Sequence, residues 1–136
     1  MIRIIITIVL TIVMSFGVFA QSKNAPTKDA VEQLMSLGDG MKTVNGITES
    51  LAKDLTVTNS EKFRAEMNIF KVAMLKTAVE TFTKDYTDTE VKAIYKEFND
   101  TTIIDRSDLT NNFFAKWRKI KGTFFKSAKE TYFKYK

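Results

Sequence analysis

Residues 60–82, SEKFRAEMNIFKVAMLKTAVETF, carry the strongest helical pattern in this 136-residue chain. Apolar residues recur there at spacings of three and four, which predicts an α-helix with a buried face. Ser60 is a suitable N-cap, and residues 57–59 before it are predicted to form a turn. Other apolar residues lie off this stripe, so we expect more than one face to be covered. The predicted helix is central, and its main stripe is Phe63, Met67, Phe70, Met74, Ala78 and Phe82.

Two shorter helices are predicted before the central one. The hydroxyl of Thr27 is placed to cap the first, and Gly38 and Gly40 end it. The second has apolar residues at spacings of three and four between Met41 and Leu55, which again form one stripe.

Two more helices are predicted after the central one. Residues 87–90, Thr-Asp-Thr-Glu, match a capping box, in which the first and last side chains each bond the other's backbone amide. The last helix is predicted to begin near Asp105 or Ser107 and to run toward the C-terminus. Gly122 is its weak point, and the sequence leaves open whether the helix is continuous there or kinks or ends. The Ile103-Ile104 pair between these helices is expected to tuck under the bundle.

The composition supports an all-α fold. The chain contains five Gly and one Pro, which favours helices joined by short connections. Residues 27–136 are long enough for one domain with one core. We therefore predict a single all-α domain of four to five helices in a bundle. Its predicted core is Leu51, Phe63, Met67, Phe70, Met74, Phe82, Ile94, Phe98, Phe113, Trp117, Ile120 and Phe124.

The N-terminus has the pattern of a cleaved signal peptide, residues 1–20. Arg3 precedes an apolar run over residues 4–19, which is shorter than the roughly 20 residues that a spanning helix needs. Val18 and Ala20 place small residues at positions −3 and −1 of a cut before Gln21. We predict an exported protein with a short polar leader, residues 21–26, before the helical domain.

Residues 86–98, YTDTEVKAIYKEF, resemble a box found in a family of small exported bacterial helical proteins of unknown function. In that family an aromatic-Thr-x-x-Glu sequence precedes the final helices. Where the family has Ser-Pro-x-Gly after the box, this chain has Asp-Thr-Thr-Ile-Ile at residues 100–104. The resemblance implies a helical fold and a periplasmic or secreted location in a bacterium, and it implies no activity.

The chain contains neither cysteine nor histidine. Nucleophilic triads that depend on these residues are therefore excluded, and so are zinc sites of the His/Cys kind and covalently attached haem. Thioethers bind copper(I), but Met35, Met41, Met67 and Met74 lie on apolar stripes, where methionine fills gaps in a core. We expect no metal and no cofactor.

Acidic residues cluster at residues 85–90 and 100–108. A calcium loop needs about six oxygen ligands and a Gly at its sharp turn, and neither cluster has that pattern. N-capping is the preferred explanation for these carboxylates, and a carboxylate-dependent hydrolase is kept as a lower-ranked alternative. The clusters are Asp85, Asp88 and Glu90, and Asp100, Asp105 and Asp108.

The positive charge is concentrated at the C-terminus. Residues 21–115 carry 12 Lys and Arg against 15 Asp and Glu, whereas residues 116–136 carry eight basic residues against Glu130 alone. Aromatic residues alternate with these cations, a pattern typical of helices that contact anionic surfaces. The alternative, which we rank ahead of it, is an aromatic stripe that faces the core with a solvated basic back, because a bundle of this size needs that stripe for its own core. Phe133 is expected to project from the basic face rather than into the core. The candidate surface-binding residues are Arg118, Lys119, Lys126, Lys129, Phe133, Lys134 and Lys136.

These features predict a non-catalytic exported protein that binds another envelope component, with a protein partner ranked first. Peripheral binding to an anionic membrane or to lipopolysaccharide through the last helix is the second interpretation. The hydrolase is ranked behind both. Nucleic acid is ranked last among anionic partners, because an exported protein meets little of it.

Overall fold

The computed structural model describes residues 24–136, which form five α-helices and no strand. The predicted all-α class is therefore confirmed for this part of the chain. The predicted signal peptide and residues 21–23 of the predicted leader lie outside the described residues. The helices are α1 (Lys28–Met35), α2 (Lys42–Ala52), α3 (Val57–Asp85), α4 (Asp88–Asn99) and α5 (Asp108–Tyr135).

The two long helices, α3 and α5, form an antiparallel pair at the centre of the bundle. They contain 29 and 28 residues, and each is therefore about 42–44 Å long at 1.5 Å per residue. At one end the Asn59 side-chain amide donates to the Tyr135 carbonyl at 2.8 Å. At the other end Lys116 Nζ lies 3.3 Å from Asp85 Oδ2. The predicted central position of α3 is confirmed, and α5 continues through Gly122 without a break.

The three short helices pack along this pair. α2 contacts the N-terminal half of α3, where the Arg64 guanidinium donates twice to the Glu49 carboxylate, at 3.1 Å each. α1 contacts α5 through the indole N–H of Trp117, which donates to the Met35 carbonyl at 3.2 Å. α4 contacts both α1 and α5.

An aromatic cluster fills one end of the core. The Phe82 ring lies 4.6 Å from the Phe113 ring and 6.2 Å from the Trp117 ring, centroid to centroid. All three side chains are buried, and Tyr86 packs beside them. Such large aromatic groups dominate the burial energy of a small domain.

The predicted core is confirmed in most positions. Three of its members, Leu51, Phe98 and Ile120, are only half-buried. The prediction for Phe70 is wrong, because 38% of this side chain is exposed in an open groove between α3 and α5. The members that are buried are Phe63, Met67, Met74, Phe82, Ile94, Phe113, Trp117 and Phe124.

The predicted start of the central helix is wrong. α3 begins at Val57, and Thr56 rather than Ser60 is its cap: the Thr56 hydroxyl accepts from the Asn59 amide at 3.3 Å. Residues 57–59 therefore form the first helical turn. Ser60 lies inside the helix, where its hydroxyl donates to the Val57 carbonyl at 2.8 Å.

Three other predicted caps, at Thr27, Thr87 and Ser107, are confirmed. The Thr27 hydroxyl accepts from the Ala30 amide at 3.2 Å. Thr87 and Glu90 form both bonds of the capping box, at 3.2 and 3.0 Å. Ser107 caps α5, which agrees with the second of the two predicted starts, Asp105 or Ser107.

The connection between α4 and α5 does not tuck under the bundle. The hydroxyl and amide of Thr102 both donate to the Asp100 carboxylate, at 2.6 and 2.9 Å. This turn holds the connection at the surface, so Ile103 and Ile104 are both exposed, Ile104 by 95%. The prediction that these two residues are covered is wrong.

Candidate functional site

Five of the candidate residues lie on the outer side of α5. Arg118, Lys126, Lys129 and Phe133 follow one another at spacings of eight, three and four, which places them on one side of a helix. Lys119 lies beside Arg118, and all five are exposed. Within residues 24–136 none of these four cations forms an ion pair. We call Arg118, Lys119, Lys126, Lys129 and Phe133 the basic face.

The other two candidates, Lys134 and Lys136, are engaged in ion pairs. Lys134 Nζ lies 2.6 Å from Glu66 Oε1, and Lys136 Nζ lies 3.4 Å from Asp54 Oδ2. The hydrogen bond from Lys134 lowers the pKa of the Glu66 carboxyl, and this bond likewise raises the pKa of Lys134. Part of the predicted positive charge is therefore balanced locally by α3 and by the connection that precedes it.

Two tyrosine hydroxyls reinforce the same contacts. Tyr132 donates to the Asp54 carboxylate, and Tyr135 donates to Glu66. The bond from Tyr132 is the main cause of a lowered pKa at Asp54. The end of α5 is thus fastened by paired groups and does not present free charge.

An apolar groove runs between α2 and α5, next to the basic face. Its volume is about 500 Å³, and almost all of its exposed lining is apolar. Phe133, 63% exposed, lies at its edge, and among residues 24–136 Lys129 is the only charged residue that lines it. The other lining residues are Thr43, Ile47, Leu51, Phe125 and Tyr132.

A basic pocket of about 280 Å³ continues this groove, since Thr43 and Phe125 line both. Arg106, Arg118 and Lys121 contribute positive charge to it, and Asp39 is the only carboxylate that the described part of the chain contributes to its lining. The sequence analysis named Arg118 as a candidate residue but did not name Arg106, Lys121 or Asp39. Lys121 falls on the core-facing arc of α5, and no local pattern marks such a lysine as functional.

Lys121 is the most buried cation of the site. Only 8% of the residue is exposed, and its ammonium donates to the Gly40 carbonyl at 3.1 Å. The ammonium also lies 5.0 Å from the centre of the Trp117 ring. Burial lowers the pKa of Lys121, while Asp39 raises it. An approaching anion would favour the charged form of this lysine.

The acidic clusters are occupied by local contacts. Asp85 pairs with Lys116 at 3.3 Å, and Asp88 pairs with Lys92 at 2.7 Å. Glu90 belongs to the capping box. The proposed capping roles of Asp105 and Asp108 are wrong, because Ser107 is the cap of α5. In the part of the chain that the structure describes, no group of three acidic side chains is arranged to hold a metal ion.

The methionines have the packing role that their positions predict. Met35, Met67 and Met74 are buried, and Met41 packs against the same core.

The described residues define a class of small five-helix protein, built on a long antiparallel pair, with a basic face and an adjoining apolar groove. Comparisons with protein-family models, with curated proteins and with solved structures gave no match. The resemblance of residues 86–98 to a family of exported proteins stays a prediction. None of the five described helices combines the length and the apolar character needed to cross a membrane.

Proposed function

We propose that this chain is an exported, non-catalytic protein that binds the surface of anionic membranes through the basic face of α5. The observation that carries the proposal is the position of Phe133. This ring is 63% exposed beside an apolar groove, and it follows four cations that form no ion pair within residues 24–136. The sequence analysis ranked binding to another envelope protein first, but no comparable structural observation supports that hypothesis.

Charge and apolar burial both contribute to the free energy of membrane binding. Each Lys or Arg near an anionic membrane surface contributes about 1 kcal/mol, and an aromatic ring that enters the headgroup region adds apolar burial. The region before α5 carries a net negative charge, which disfavours its approach to the same surface. Binding would therefore orient the molecule with α5 toward the lipid.

Sedimentation with vesicles tests this proposal. We expect the protein to sediment with phosphatidylglycerol-containing vesicles at low salt and to be released from them at high salt. It should not sediment with phosphatidylcholine vesicles. Phe133→Ser should weaken binding about tenfold or more, since burying a Phe side chain is worth roughly 1.5–3 kcal/mol.

Ile69→Ser is the matched control. Ile69 is 67% exposed on α3, and its loss removes a similar exposed apolar group away from α5. We expect this variant to bind as the parent does. Equal weakening by both substitutions, or no sedimentation of the parent with anionic vesicles, would overturn the proposal.

A further inference from the structure

We propose that the apolar groove and the basic pocket together bind one single-chain anionic lipid, with its acyl chain between α2 and α5 and its headgroup at Arg118 and Lys121. This inference goes beyond the proposed function, with which it shares the class of ligand, an anionic lipid. It adds a site between α2 and α5 that overlaps the basic face, because Arg118, Lys129 and Phe133 also line the groove or the pocket, whereas Lys119 and Lys126 line neither.

The groove and the basic pocket together have the length of one acyl chain. Phe133 lies twelve positions after Lys121 in α5, which is about 18 Å along the helix axis. One leaflet of hydrocarbon, half of a bilayer core, is about 15 Å thick. The groove volume of about 500 Å³ also lies within the usual range for small-ligand sites, about 300–1,000 Å³.

The lining of the groove is suited to hydrocarbon. Ile47 and Leu51 of α2 face Phe125 and Phe133 of α5 across it. An acyl chain in this position would cover the exposed part of the Phe133 ring, and it would find almost no polar group to desolvate. The groove offers an anionic headgroup one cation, Lys129, whereas the pocket offers Arg118 and Lys121, so we place the headgroup at the pocket.

The other end supplies the complementary charge. Arg118 forms no ion pair within the described residues. The ammonium of Lys121 has three donors, and its bond to the Gly40 carbonyl uses one of them. Both groups can therefore donate charge-assisted hydrogen bonds to a phosphate or a carboxylate.

Two carboxylates near the pocket must be considered. Asp39 accepts from the Thr43 hydroxyl at 3.2 Å. A backbone hydrogen bond and this bond from Thr43 are the main causes of its lowered pKa, and the charges of Lys121 and Arg118 lower it further. Glu97 lies near Arg106 and is bonded to the Ser107 amide. Arg106 itself lies over the Phe98 ring at 4.5 Å. Arg118 and Lys121 together still outweigh the single charge of Asp39, so the pocket keeps a positive balance without Arg106.

Titration calorimetry with dodecyl phosphate below its micelle concentration tests the inference. We expect one molecule to bind per chain. Decyl phosphate should bind about tenfold more weakly, since each buried methylene contributes roughly a factor of three to four. Inorganic phosphate and the neutral dodecyl maltoside should each bind at least tenfold more weakly than dodecyl phosphate. Binding without saturation, or no dependence on chain length, would overturn the inference.

Paired variants locate the site. Thr43→Trp places a ring at the junction of groove and pocket and should weaken binding at least tenfold, while Thr89→Trp, exposed on α4 away from the groove, should leave it unchanged. Arg118→Gln should weaken binding several-fold. Its neighbour Lys119→Gln removes the same charge outside the pocket and should have little effect. Equal effects within either pair would contradict this site.

The two proposals fail separately. Loss of vesicle binding with dodecyl phosphate binding intact would refute the membrane-surface function alone. Vesicle binding without saturable dodecyl phosphate binding would refute the lipid site alone. Lys126→Gln helps to separate them, because Lys126 belongs to the basic face and does not line the groove. We expect this substitution to weaken vesicle binding and to leave dodecyl phosphate binding unchanged.

Discussion

Phe70 and Phe82 lie on the same helix, α3, in opposite surroundings. Phe82 is fully buried against Phe113 and Trp117, whereas Phe70 is 38% exposed. Both belong to the stripe that the sequence assigned to the core. The stripe alone could not separate them, because spacing places Phe70 at one edge of the arc and only the position of α5 decides whether that edge is covered.

Alanine substitution at each position tests this difference. Phe82→Ala should lower the free energy of unfolding by about 3–5 kcal/mol, the usual cost of removing a large buried ring. Phe70→Ala should cost about 1 kcal/mol, because much of the ring already contacts water. Chemical denaturation measures both. Equal costs would contradict the difference in burial between Phe70 and Phe82.

Glu66 predicts how stability depends on pH. Its hydrogen bonds from Lys134 and Tyr135 lower its pKa in the folded state, so the unfolded chain binds more protons as the pH falls toward the ordinary value of about 4.3. This contribution is present above that value and is lost as the pH falls through the lower, folded-state pKa. Glu66→Gln should therefore lower the melting temperature at pH 7, and the difference from the parent should shrink toward pH 3. A constant difference between pH 7 and pH 3 would contradict the assignment.

The helix elements were largely predictable, and their ends were predictable where a cap precedes the apolar pattern directly. Thr27 and Thr87 satisfy that condition. α3 does not, because its first turn contains the exposed Val57 and its apolar stripe starts only at Phe63. Because the first residues of α3 are not part of the apolar stripe, hydrophobic periodicity cannot reveal them. Ser60, three residues before Phe63, therefore matched the expected position of an N-cap better than Thr56 did.

Substitution of Gly122 tests whether α5 is continuous. The helix passes through this position unbroken, and an added Cβ would meet no atom within 4 Å. Gly122→Ala should therefore stabilise the protein by about 0.5–1 kcal/mol, since alanine has the higher helix propensity.

Gly40→Ala is the contrasting variant. Gly40 has a positive φ of 41°, and an added Cβ would lie 3.0 Å from the Ser36 carbonyl oxygen. This substitution should destabilise the protein. A lower melting temperature for Gly122→Ala would indicate that α5 bends at residue 122.

The arrangement of the whole molecule was the least predictable part. The contacts that set it join residues far apart in sequence, such as Lys134 with Glu66 and Lys136 with Asp54. The sequence indicated that the aromatic stripe of α5 faces the core and that Phe133 projects from the basic face; Trp117 and Phe124 are buried, and Phe133 is 63% exposed. The sequence could not show that two C-terminal lysines are paired, nor that α2 lies beside α5 and forms the groove, because neither fact has a local signal.

The most direct test of the central claim compares two double variants in anionic vesicle binding, after circular dichroism has shown that both are folded. Lys126→Gln/Lys129→Gln and Lys134→Gln/Lys136→Gln remove the same net charge. The first should weaken binding about 10- to 30-fold, since each free lysine contributes about 1 kcal/mol at an anionic surface. The second should weaken it less than about threefold, because its lysines are already paired. Equal losses would show that net charge rather than the basic face governs binding, and no loss in the first variant would contradict the proposed function.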